Sequence, residues 1–100
     1  MTGFSERVLA LTSRIPPGRV STYRLIAEAM NTRAYRAVGN ALHNNKNPIA
    51  VPCHRVCNSD GSIGGYSKGV GKKIALLMQE GVEVKNGRIV DFERRLFRVF

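Results

Sequence analysis

Apolar residues recur at helical spacing at Phe4, Val8, Leu11 and Ile15, which predicts a helix over Ser5 to Ser13 stopped by Pro16, Pro17 and Gly18. Ser21 is placed to N-cap a second helix running through Met30, with Leu25, Ile26 and Ala29 turned inward. Asn31 and Thr32 break that helix. Thr32 then caps a third, Arg33 to His43, whose inner face carries Ala34, Val38, Ala41 and Leu42. Two helices joined by so short a turn make either an ordinary αα-hairpin or a helix-turn-helix. Arg33 and Arg36, together on the exposed side of the third helix, favour the second, with that helix facing nucleic acid.

Beyond His43 the pattern loosens. A polar loop, Asn44 to Pro48, leads into the short apolar run Ile49 to Val51, and Asn58 to Gly61 are turn residues. Gly64 to Gly69 form a glycine-rich loop, followed by a helix from about Val70 to Glu80 that ends on Gly81. Val82 to Val90 reads as a hairpin with a type I′ turn at Asn86-Gly87, which sets Val84 opposite Ile89. The tail, Phe92 to Phe100, carries Phe92, Leu96, Phe97 and Phe100 and is expected to fold back on the core. The chain thus reads as mainly α with a small β content, a winged-helix-like helix-turn-helix domain ending in a short β-hairpin.

Length and charge narrow the function. One hundred residues suit a single domain, 1–100, and no apolar run approaches a membrane span. Residues 1–13 lack the basic and apolar regions of a secretory signal, so a cytoplasmic protein is expected. The formal charge is +9, divided as +5 in residues 1–50 and +4 in 51–100, so it is not a basic tail. A folded domain this basic points to a polyanion, nucleic acid before others, against the plainer alternative of a merely soluble surface.

The chemistry gathers at Cys53. The thiolate is the nucleophile, so a base must take the thiol proton, and His54 is adjacent. A carboxylate on the other imidazole nitrogen would fix the tautomer, and Glu80 is the candidate. A small core cysteine, a surface histidine and a solvated helix end remain the plain alternatives. A disulfide between Cys53 and Cys57 gives little over so short a loop. With His43 and His54 the two cysteines lack the paired spacing of a zinc site, so neither metal nor cofactor is expected.

The Pro52-Cys53-His54-Arg55-Val56 stretch resembles the active-site pentapeptide of the O6-alkylguanine-DNA alkyltransferases. Val20 to Tyr23 resemble the Val-Ser/Thr-Tyr opening of that family's helix-turn-helix, and Arg36 to Gly39 its Arg-Ala-Val-Gly recognition helix. Asn45 to Pro48, Gly64 to Ser67, and Leu76, Leu77, Glu80 and Gly81 resemble its Asn-x-x-Pro, Gly-Gly/Asn-Tyr-Ser and Leu-Leu-x-x-Glu-Gly segments. The likeness covers roughly residues 4 to 85.

The resemblance implies direct, irreversible transfer of an alkyl group from O6-alkylguanine, flipped out of duplex DNA, to Cys53. It implies His54 as the base acting through water, Glu80 as its orienting carboxylate, Tyr23 as proton donor to the departing guanine, and Asn45 as a brace beneath the site. Arg36 would fill the vacated stack. Ala37, Gly39, Thr22, Arg33 and Tyr35 would meet the DNA, and Val56, Tyr66, Ser67, Pro48 and Leu42 would line the base pocket. The partner implied is double-stranded DNA carrying the lesion, met by a monomer, with a repair protein as a further partner.

Two departures bear on this. The family's usual N-terminal α/β domain has no counterpart in residues 1–100, and Tyr35 stands where the family has a small residue before the finger arginine. The first departure resembles the alkyltransferase-like proteins, which bind lesions and recruit other machinery, and which replace the nucleophilic cysteine that Cys53 retains here. A sequence-specific helix-turn-helix regulator is the rival from another class, and it leaves Tyr23, Glu80 and the Cys-His pair unused.

Overall fold

The apolar stripe at the start of the chain folds as α1, Phe4–Thr12, which buries Val8 and turns Thr12 inward. The Thr12 hydroxyl donates to the Val8 carbonyl at 2.8 Å, so the buried oxygen is satisfied within the helix. The computed structural model describes residues 3–46, 50–66 and 68–100. After the Pro16-Pro17 break the chain runs extended through β1, Ser21–Thr22, into α2, Tyr23–Ala29. Thr22, not Ser21, is the N-cap: its hydroxyl accepts from Leu25 N at 3.0 Å, while the Ser21 hydroxyl donates to the Phe97 carbonyl at 2.9 Å. Ser21 is drawn away by the tail.

The break at Asn31, with φ of 61°, leads into α3, Tyr35–His43. Thr32 accepts from Ala34 N at 3.2 Å, so the helix proper opens after Ala34. Val38, Ala41 and Leu42 anchor its inner face, whereas Ala34 is exposed, as is Ala29 of α2. Fully burying an aliphatic side chain is worth about 1.5–3 kcal/mol, and these anchors fix which side of α3 faces outward.

Cys53–Arg55 form one 3₁₀ turn, followed by β2, Val56–Cys57. β1 and β2 pair in parallel, Ser21 with Val56 and Thr22 with Cys57. Then come α4, Val70–Gln79, the antiparallel strands β3, Val84–Lys85, and β4, Arg88–Ile89, and the short α5, Phe92–Arg95. Asn86 and Gly87 both have positive φ, 54° and 74°, as a type I′ turn requires, and Val84 lies opposite Ile89. The tail returns as expected and adds a parallel bridge, Val20 with Leu96, on the open side of β1. Phe97 and Phe100 meet edge to face, 5.1 Å between centroids, and pack against the core of α1, α2 and α3. A second core joins Val20, just before β1, to α4 and the hairpin through Ile63, Leu77, Val82 and Ile89. Cys53 belongs to the first core and Cys57, at the end of β2, to the second.

Candidate functional site

The 3₁₀ turn holds Cys53 at the floor of the site, 6% exposed, with its amide bonded to the Val51 carbonyl at 2.8 Å. Asn45 donates from Nδ2 to that same carbonyl at 3.1 Å and so braces the turn from the end of α3. His54 is equally buried and its Nε2 lies 3.0 Å from Glu80 Oε2. Its Nδ1 is buried and bonds to no group among the described residues. With Nε2 donating to the carboxylate, Nδ1 carries the lone pair and faces the interior as an acceptor.

Glu80, the C-terminal residue bounding α4, also holds Arg55. The guanidinium donates from Nε to Oε1 at 3.0 Å and from Nη2 to Oε2 at 2.6 Å, while Nη1 reaches the Ile15 carbonyl at 2.7 Å. Burial alone would raise the Glu80 carboxyl, but Arg55 and His54 outweigh it and hold it below its ordinary value. Burial lowers the His54 pKa despite Glu80, so the imidazole is neutral near pH 7. Glu80→Ala should cost about 3–5 kcal/mol in urea unfolding, since it leaves Arg55 and His54 without their shared partner. The stability Glu80 supplies is full above the ordinary carboxyl pKa and lost as pH falls through the lowered folded value.

The two thiols are unlike. Cys57 is 1% exposed, its Sγ donates to the Ser21 carbonyl at 3.3 Å, and burial pushes it up to about 12. It stays protonated and inert. Cys53 instead opens on a cavity of about 140 Å³. Tyr23, Gly39, Leu42, Gly65 and Tyr66 line that cavity with it. Burial, with the two thiols behind it, raises Tyr23, so this phenol keeps its proton.

Tyr23 and Gly39 also border a broad surface groove of about 890 Å³ lined by Arg24, Arg33, Tyr35, Arg36 and Ala37. The cavity above Cys53 therefore opens directly beside the exposed arginines of α3. A Cβ added at Gly39 would meet nothing within 4 Å, so this glycine leaves space that the protein itself does not fill. Thr22 is 2% exposed and its hydroxyl is engaged as the cap of α2. Val56 is fully buried, with its carbonyl accepting from Lys73 Nζ at 2.7 Å. Pro48 and Ser67, expected in the base pocket, lie outside the described residues.

Two groups were not legible as site residues. Arg55 sits inside the pentapeptide, yet only the fold turns it onto Glu80. Lys73 sits four residues before Leu77 on the inward stripe of α4, a charge at an apolar position, and that misfit was its signal. Among the described residues no three His, Cys, Asp or Glu gather as a metal site.

Residues 3–82 match the family model described as the DNA binding domain of 6-O-methylguanine DNA methyltransferase. A methylated-DNA--protein-cysteine methyltransferase of Saccharolobus islandicus is 52% identical over 81 residues, which are 81% of this chain and 52% of the relative. The structure of Mycobacterium tuberculosis OGT in complex with DNA superposes with a TM-score of 0.77 at 40% identity, over 81% of this chain and 50% of that one. S. pombe Atl1, in complex with damaged DNA containing O6-carboxymethylguanine, superposes with a TM-score of 0.83 at 30% identity, over 96% and 95% of the two chains. The chain spans about half, or less, of the length of the curated relatives it matches. With a buried cysteine, its histidine–glutamate pair and an arginine-lined helix arranged on this fold, the chain belongs to the family of the 6-O-methylguanine DNA methyltransferases through their DNA-binding domain.

Proposed function

We propose that the chain removes alkyl groups from O6-alkylguanine in duplex DNA by transferring them, once per molecule, to Cys53. The observation that carries this is the line from Cys53 to His54 to Glu80 beneath a cavity open to the arginine-lined groove. His54 Nδ1 takes the thiol proton through water, and Glu80 steadies the resulting imidazolium. The thiolate then attacks the alkyl carbon in line. A carbon–sulfur bond forms, the bond from carbon to O6 breaks, and its electron pair stays on guanine. Tyr23 donates a proton to the departing base and is reprotonated from solvent or the imidazolium. Tyr66, with Leu42 behind it, borders the base, Asn45 keeps the turn in place, and Arg36 fills the stack left by the flipped nucleotide. Pro48 and Ser67 complete the pocket on the resemblance alone.

Intact-mass analysis after incubation with an O6-methylguanine duplex tests this. One methyl group should appear on the peptide containing Cys53, and on none of the protein when the duplex is undamaged. Unmodified protein after prolonged exposure to excess lesion would instead support a second reading, lesion binding without transfer, which the near-complete overlap with S. pombe Atl1 favours. Because burial lowers the His54 pKa, the neutral base persists below its ordinary value of 6.5. Single-turnover rates should therefore hold from pH 7 to below 6.5 and fall only in more acidic buffer; a fall centred above 6.5 would remove His54 from the base role.

A further inference from the structure

The tail is fastened to the residues around Val20 in both directions. Val20 N donates to the Arg95 carbonyl at 2.9 Å, and Phe97 N donates back to the Val20 carbonyl at 2.7 Å. Side chains lock the same join. Arg19 donates from Nε to the Arg95 carbonyl at 3.0 Å and from Nη2 to the Leu96 carbonyl. Its guanidinium also lies over the Phe97 ring, 6.0 Å from the centroid. Arg95 donates from Nη1 to the Gly18 carbonyl at 3.1 Å, and the Ser21 hydroxyl holds the Phe97 carbonyl. The clasped segment, Arg95 to Phe97, lies beyond the residues that match the family model. What it secures is β1. A strand of two residues, paired in parallel with β2 alone, is weak, and the tail on its other edge makes β1 the middle of three. β1 runs directly into α2, whose first residue is Tyr23, and β2 directly follows the Cys53 turn. The seating of β1 therefore fixes how Tyr23 stands to Cys53 across the cavity they share.

We propose that Arg19, through the tail strand it clasps, is a positioning residue that holds the Tyr23 hydroxyl at the cavity over Cys53. This deepens the reading of Tyr23 as proton donor to the departing guanine and rests on it. Arg19 lines neither the cavity nor the arginine-lined groove, so it acts through β1. Loosening the clasp leaves the line from Cys53 to His54 to Glu80 in place, because that line hangs on the Cys53 turn and the end of α4. Attack by sulfur and protonation of the leaving group can therefore be read apart. Iodide leaves iodoacetamide without a proton, whereas guanine takes one.

Arg19→Ala removes both donors and the contact with Phe97. Transfer from free O6-benzylguanine should slow about tenfold, while alkylation of Cys53 by iodoacetamide stays within about twofold of wild type. Tyr23→Phe should slow transfer as well. Adding Arg19→Ala to it should cost less than about twofold more, since both changes act on one proton. Arg94→Ala, on the exposed side of α5, should alter neither rate. If Arg19→Ala melts too low to assay, Arg19→Lys makes the same comparison, because an ammonium lacks the fork that spans both carbonyls. Equal slowing of the two reactions, or losses that add in the double variant, overturns the proposal. A further readout needs no O6-alkylguanine. Burial first, then the Cys57 and Cys53 thiols, raise the Tyr23 pKa. A phenol loosened toward solvent should therefore titrate lower by NMR, by about half a pH unit, in folded Arg19→Ala. Loss of the Arg19 cation by itself would move it upward. An unmoved or raised titration overturns the proposal. A wild-type chain that transfers nothing refutes the transferase reading, and the titration then decides the positioning of Tyr23 on its own.

Discussion

Cys53→Ser abolishes alkyl transfer while leaving affinity for undamaged duplex within about twofold of wild type. The serine hydroxyl is far less acidic than a thiol, and His54 is a base suited to the second and not the first. The change is nearly isosteric, so folding should survive it. Cys57→Ala provides the contrast. That thiol is held protonated and bonded to the Ser21 carbonyl, so its loss should cost stability but leave the extent of transfer complete. The check is intact mass and single-turnover rate on an O6-methylguanine duplex, with thermal melting of each variant. Transfer surviving in Cys53→Ser would move the acceptor elsewhere. Loss of undamaged-duplex binding in the same variant would make Cys53 a structural residue.

The contrast between the two cysteines shows where sequence reading stops. Both sit in one short stretch, and adjacency to His54 singled out Cys53, but what silences Cys57 is its place on β2 against Ser21. That pairing joins two strands of two residues each, too short to leave a period in the sequence, and it forms only when the α1–α3 core and the α4 core close together. The long helices and the Asn86-Gly87 hairpin were readable because their signals are local: apolar spacing, caps and positive-φ turn residues. The errors were also local. Ser21 looked like the cap of the second helix, but the returning tail claims its hydroxyl and Thr22 caps α2 instead, and Ala34 looked like a core position until Thr32 delayed the start of α3. Glu80 was placed at the right end of α4, yet its hold on Arg55 depends on a turn that the spacing does not describe. Lys73 was the opposite case. It broke the apolar stripe visibly, and only the carbonyls it meets, those of Val56, Ile63 and Gly65, explain why.

Arg36→Ala should slow transfer from duplex lesions about tenfold or more, and transfer from free O6-benzylguanine by less than about twofold. Extruding a base costs a few kcal/mol, and a side chain that fills the stack recovers part of that cost; a free base needs no extrusion. Arg36 is suited to this role by its surroundings. It is exposed on α3 beside Ala37, near the mouth of the cavity over Cys53, and Gly39 leaves open space on the same face. Its replacement removes no buried contact, so the melting temperature should barely change, and a rate effect would not reflect unfolding. Undamaged-duplex affinity should fall modestly in the variant and steeply with salt in both proteins, because the +9 charge acts through counterion release. The neighbouring Tyr35, 39% exposed, complicates the geometry: its ring stands at the start of the helix that must approach the duplex closely. If Tyr35 rather than Arg36 supports the vacated stack, Tyr35→Ala will show the duplex-selective loss and Arg36→Ala will not. Equal losses on duplex and free base in Arg36→Ala would instead place Arg36 in support of the pocket, and its stack-filling role would have to be dropped.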